Sequence, residues 1–172
     1  MALKTLDPAC TPRPSVFDPA IRDTVHSIDD LDRIDPRQFF AENFVTEGMR
    51  LLLTEAFKRL ERRSENASGT FVLSQSMGGG KTHNLLALGL LARNPSLRRP
   101  VMGECHDPGP LGAVQVLTFS GRKTYTPFGL WGELAEQLNR REVFKEFYSP
   151  LVPPGGGDWV ELLLGSVEND SM

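Results

Sequence analysis

Apolar positions along the chain fall into two spacings. Met49, Leu52, Leu53, Ala56, Phe57 and Leu60 recur at helical intervals, with Arg50, Glu55, Lys58 and Arg62 largely elsewhere on the wheel. This predicts an amphipathic helix packed on a sheet, with a start signal at Thr46-Glu47. Leu85, Leu86, Leu88, Leu90 and Leu91 are apolar almost all round, the mark of a buried helix, in which Gly89 allows a close approach. A third helical pattern, Trp131, Leu134, Ala135 and Leu138, follows Thr126-Pro127, and Arg141 to Tyr148 extends it as a separate turn or helix. Asp35-Pro36 reads as an N-cap with proline at the first helical position, opening a short helix through Phe40. Two runs have strand character instead. They are Thr70-Phe71-Val72-Leu73 and Ala113 to Phe119, rich in β-branched and aromatic residues and read as buried strands.

Breakers divide these elements. Pro8, Pro12, Pro14 and Pro19 leave residues 1–36 as an extended or irregular arm. Ser64 to Gly69 forms a polar turn, Asn94-Pro95 ends the leucine-rich helix, and a loop runs from Pro100 to Gly112. After Pro150 the glycines 155–157 break regularity again, before a last short helix, Trp159 to Leu164, capped by Asp158. Residues 37–172 are therefore read as one domain behind the arm.

Between the first strand signal and the leucine-rich helix stands Ser74-Gln75-Ser76-Met77-Gly78-Gly79-Gly80-Lys81-Thr82-His83. Strand, glycine-rich turn and helix is the context of a phosphate-binding loop. Gly78, Gly79 and Gly80 let the main chain curl around a phosphate, and the helix opening at Lys81 adds the N–H groups of Lys81, Thr82 and His83 and the positive end of its dipole. Met77 leads into this cradle. Lys81 supplies a charge for the β and γ phosphates, and the Thr82 hydroxyl is suited to one position on an octahedral Mg²⁺. The full pattern G-x-x-x-x-G-K-[ST] would require glycine where Gln75 stands, so its first position is not met. The plain alternative is a flexible turn whose lysine points to solvent. The flanking strand and helix signals favour phosphate.

Bulk properties narrow the class. With 172 residues, 40% hydrophobic and 24% charged, the chain is of one-domain size and can bury a core. Its net charge of −3 argues against a strongly basic nucleic-acid surface, and Arg62-Arg63, Arg98-Arg99 and Arg140-Arg141 read as solvated faces or helix ends. The longest apolar stretch, Leu85 to Ala92, is too short to span a bilayer. Two cysteines far apart, Cys10 and Cys105, with no leader pattern at Met1-Ala2-Leu3-Lys4, point to the cytoplasm. Cys105-His106-Asp107 has no second pair at metal-ligand spacing and reads as a loop.

Taken together, Phe39-Phe40, then Phe44-Val45-Thr46-Glu47-Gly48-Met49, then Met77 to His83, then Leu130-Trp131-Gly132-Glu133 resemble the N-terminal part of large AAA-type P-loop ATPases encoded in bacterial and archaeal anti-phage defence islands. The resemblance covers most of the chain. It implies an α/β, P-loop NTPase-like fold, here an incomplete three-layer sandwich behind an irregular arm. It also implies ATP and Mg²⁺ as ligands and, as partners, further copies of the chain or other defence-island proteins. Such an ATPase needs an acid at the tip of a second core strand to hold Mg²⁺ through water and orient the attacking water. Leu117-Thr118-Phe119-Ser120 carries none, and Glu161 and Glu168 follow no convincing strand. The chain stops about where the resemblance places the acidic strand, which leads to the expectation of a truncated reading frame and leaves the catalytic residues unknown. Two other functions stay open: a non-catalytic nucleotide-binding or interaction module, and a compact P-loop phosphotransferase.

Overall fold

The computed structural model describes residues 26–61, 67–74, 76, 78–103, 109, 111–112 and 114–147. The described chain opens with a 3₁₀ helix, Ile28–Arg33, inside the stretch read as an irregular arm. Ser27 caps it: its side chain accepts from the Asp29 N–H at 3.4 Å, while the Asp30 carboxylate accepts from the Ser27 N–H at 3.1 Å. Helix α1, Pro36–Glu42, starts as the sequence predicts, with the Asp35 carboxylate accepting from the N–H groups of Arg37 and Gln38 at 2.8 and 3.0 Å. Helix α2, Glu47–Leu60, is capped by the Thr46 hydroxyl and buries Met49, Leu52, Leu53, Ala56 and Phe57; Leu60, placed by its spacing on the same face, is exposed.

Helix α3, Lys81–Arg93, is the centre of the main core. Its leucines meet Leu31 of the 3₁₀ helix, Phe39 of α1, and Met49, Leu53 and Phe57 of α2. Gly89 is a point of close approach, as its position suggested: a Cβ there would lie 3.0 Å from the Leu31 side chain. Asn94 ends α3 by returning its backbone N–H and side-chain amide to the Leu90 carbonyl at 3.0 and 2.7 Å. Pro95 then opens α4, Pro95–Met102, so the expected loop from Pro100 begins later than the composition indicated. The reason is Arg98. Its guanidinium donates to the carbonyls of Leu91 and Ala92 at 2.9 and 2.7 Å and lies 5.2 Å over the Phe57 ring, tying α4 back against the end of α3 and against α2. The Arg98-Arg99 pair is thus divided between a buried helix-end clamp and an exposed side chain.

Helices α5, Gly129–Gln137, and α6, Arg141–Phe147, form a smaller hairpin around Ala135 and Phe144. Gly132 permits it, because a Cβ there would collide with the Phe128 Cβ at 2.2 Å, and Phe128 packs edge-on against Phe144.

The α/β sandwich of the P-loop NTPase kind is overturned: 59% of the described residues are helical and none is in a strand or sheet. Both runs with strand character lie outside any regular element among the described residues and make no ladder. Thr70 to Phe71 and Val72 lie on the surface, Val72 at 84% exposed, so this run is not the buried strand its composition implied. In the second run, where Ala113 lies outside the described residues, side chains take the place of a neighbouring strand. The Thr118 N–H donates to the Gln137 Oε1 at 2.9 Å, the Gln137 Nε2 donates to the Thr118 carbonyl at 2.7 Å, and an Arg93 Nη donates to the Val116 carbonyl at 2.9 Å. High β-propensity describes a fit to a pleated, half-buried surface, and without an adjacent strand the backbone finds other partners. Tyr148 and the Trp159 to Leu164 helix lie outside the described residues.

Candidate phosphate site

The glycine-rich turn delivers the chain directly into α3. Ser76 sets the turn: its carbonyl accepts from the Gly79 N–H at 3.0 Å and from the Lys81 Nζ at 2.9 Å. Gly78 and Gly80 both have φ of +79°, in the left-handed region that only glycine enters at little cost. A Cβ at either would meet nothing within 4 Å, so the need for glycine comes from the backbone angle and not from crowding. Gly80 is the N-cap of α3 and, having no side chain, offers no acceptor to the first turn. The N–H groups at the start of an α-helix have no intrahelical acceptor, and here they face a turn of exposed glycines. A 13-residue helix adds its dipole to them.

Lys81 is half-buried and Thr82 is exposed, so both are at the mouth of the turn on consecutive helical positions. No group of three or more histidine, cysteine, aspartate or glutamate side chains able to hold a metal occurs among the described residues. Gln75 and Met77, and likewise Cys105-His106-Asp107, lie outside the described residues.

The sequence presents His83 as a backbone donor only. Its side chain does more. The imidazole stacks on Phe39 with ring centres 4.6 Å apart and planes 26° from parallel, Phe39 meets Phe40 edge-on at 5.1 Å, and His26 lies 6.4 Å from Phe39 on a tilted plane. The first turn of α3 is thereby fastened to α1 and to the segment before the 3₁₀ helix. Burial, and next the charge of His26, hold His83 below the ordinary histidine range. A lowered folded-state value means that the unfolded chain binds more protons, so stability is complete above about pH 6.5 and is lost as pH falls through the folded value. Urea titrations below about pH 6.5 should show this acid slope, and His83→Gln should flatten it. An unchanged slope would assign it to other groups. Of this cluster, the sequence shows only that His83 follows Lys-Thr; the approach of Phe39 and His26 depends on how α1 packs.

A helical protein with an uncapped, glycine-led helix start of this kind is a class defined by one local geometry. Residues 15–104, a little over half of the chain, match the model of the DUF499 N-terminal domain, an uncharacterised family, and the chain belongs to it. The matched stretch takes in α1, α2, the glycine turn and α3, and ends just after α4. No curated protein matches the chain, and no solved structure does. No helix among the described residues is long and apolar enough to cross a membrane.

Proposed function

We propose that the chain binds a nucleoside triphosphate, ATP with Mg²⁺, through Gly78, Gly79, Gly80, Lys81, Thr82 and His83. The observation that carries this reading is the start of α3: a left-handed glycine as N-cap, no side-chain acceptor for the first turn, and Lys81 and Thr82 on the first two helical positions. An anion is the complement of such a helix start, and the lysine and hydroxyl are the groups a metal-bound triphosphate needs beyond backbone N–H groups. The motif resemblance supports a wider role in the cytoplasm, as the nucleotide-binding N-terminal part of an ATPase serving phage defence.

The test is equilibrium binding of a fluorescent ATP analogue with Mg²⁺, competed by ATP and by tripolyphosphate. Binding displaced by both ligands is expected, since the cradle reads phosphate and not the base. No binding, or binding that tripolyphosphate leaves intact, rejects the assignment. Thr82→Ala should weaken binding in Mg²⁺ and leave affinity in chelator unchanged, because only the metal uses the hydroxyl. An equal loss in both conditions would remove Thr82 from the metal.

A further inference from the structure

We propose that Lys123 is an ionic latch holding the α5–α6 hairpin against the 3₁₀ helix, and that its release lifts the hairpin from the 114–119 run while the main core stays folded. The latch begins with a turn. The Lys123 N–H donates to the Ser120 carbonyl at 3.1 Å and the Arg122 N–H to the Ser120 Oγ at 3.4 Å, which folds residues 120–123 back on themselves. Lys123 is thereby set between two elements distant in sequence. Its ammonium donates to the Glu133 Oε2 on α5 at 2.7 Å and lies 3.7 Å from the Asp29 Oδ1 on the 3₁₀ helix. None of the three side chains is more than 35% exposed, so water screens the cluster only in part. The hydrogen bond to Glu133 foremost, with the charges of both carboxylates, outweighs partial burial and holds the ammonium above the ordinary lysine range.

Glu133 is well placed for this task. It stands one helical turn before Gln137, and the Gln137 Nε2 donates to the Glu133 carbonyl at 3.2 Å as well as to the Thr118 carbonyl. The same face of α5 therefore carries the ionic anchor and the amide that binds Thr118, and moving one moves the other. On the other side of the latch the post is fixed. Asp29 belongs to a helix whose Leu31 is packed in the main core against Gly89, and whose Asp32 pairs with Arg93. The hairpin has means of moving as a unit: Ala135 and Phe144 are fully buried with Phe128, Trp131 and Leu138 packed on them, and Arg141 pairs with Glu136 at 3.0 Å. Contiguous pairs of elements of this kind are the ordinary units of sub-global opening.

The size of the effect follows from the exposure of the pairs. A partly exposed ion pair shifts an equilibrium by a factor of about 1.5 to 5, and Lys123 makes two, so losing the ammonium should raise hairpin opening by about 2- to 25-fold. Added salt acts in the same direction, since the screening length shrinks from about 30 Å at 0.01 M to about 3 Å at 1 M.

The experiment is residue-resolved amide hydrogen exchange by NMR on the full chain, comparing wild type with Lys123→Gln at low and high sodium chloride. In Lys123→Gln the Thr118 amide and those of α5 and α6 should exchange faster together, by the factor above, while the amides of α3 keep their wild-type rates. Asp29→Asn should reproduce the acceleration and add nothing when combined with Lys123→Gln, because both remove the same link. Wild-type exchange at Thr118 and in the hairpin of Lys123→Gln would overturn the latch. So would an acceleration that includes α3, which would make the hairpin part of the global unfolding unit, or one that reaches α5 and α6 without Thr118. Additive effects of the two substitutions would show that Lys123 and Asp29 act separately, and would equally reject it.

Discussion

Replacing Lys81 with alanine should abolish measurable binding of MgATP while leaving the fold intact. The Lys81 Nζ donates to the Ser76 carbonyl across the turn, at 2.9 Å, and so waits beside the cradle instead of extending away from it. A triphosphate would replace that neutral acceptor with charged oxygens, and hydrogen bonds between ionised partners contribute about 1.5 to 3 kcal/mol each. One such bond is a factor of about 10 to 150 in affinity, and a lysine that reaches two phosphates makes more than one. Without the lysine, the N–H groups of the glycine turn would hold an anion only weakly on their own. On the folding side the loss is small, because Lys81 is only half-buried at the mouth of a turn and is not a member of the buried core cluster. The measurement is a titration with MgATP beside a thermal melt. Wild-type affinity in Lys81→Ala would sink the phosphate assignment, and Lys81→Arg should fall between the two, keeping charge but replacing a compact ammonium with a broad planar fork.

The largest effect on stability is expected from Phe57→Ala, at about 3 to 5 kcal/mol. Phe57 is 0% exposed, on the buried face of α2, in the cluster that includes Leu53, Leu86, Leu90 and Leu91. Truncation removes the apolar contact of a whole ring and leaves a cavity, since helices anchored by separate caps cannot collapse into it freely. It also removes the surface beneath Arg98. The guanidinium stays bonded to the Leu91 and Ala92 carbonyls, so α4 should remain docked, but the favourable cation–ring contact disappears. Against a total of about 5 to 15 kcal/mol for an ordinary domain, this is a large fraction, and the urea midpoint should fall accordingly. A loss under about 1 kcal/mol would mean that α2 is not packed on α3 as described.

Helical parts of the fold were legible because their signals are local. Asp35-Pro36 and Thr46-Glu47 mark helix starts whether or not the helix is packed, and the spacing from Met49 to Phe57 reports its buried face directly. The sheet was misread for the converse reason. Composition at residues 70–73 and 113–119 says that these runs would suit a strand, yet a strand exists only with a partner, and partnership is not written in either run. Gln137 and Arg93 supplied backbone partners that no periodicity announces. At the candidate site the glycines, Lys81 and Thr82 stand out from spacing alone, whereas Phe39 reaches His83 only through the packing of α1, and His26 in turn meets Phe39 from the segment before the 3₁₀ helix.

The Gln137 amide has a further meaning for how this protein behaves at high concentration. A carboxamide carries a donor and an acceptor in the same relation as a peptide unit, and at Thr118 it fills both positions that an incoming chain would use, at 2.9 and 2.7 Å. Extended segments with unsatisfied backbone groups recruit other molecules and template aggregation, and proteins that keep such segments blunt or cover them. Here the covering is one side chain projecting from the end of α5, with Arg93 closing the same run at Val116. Thr118 and the Val116 carbonyl are therefore satisfied within the chain, and the exposure of this run is tied to the integrity of a small helical hairpin that carries none of the candidate phosphate site.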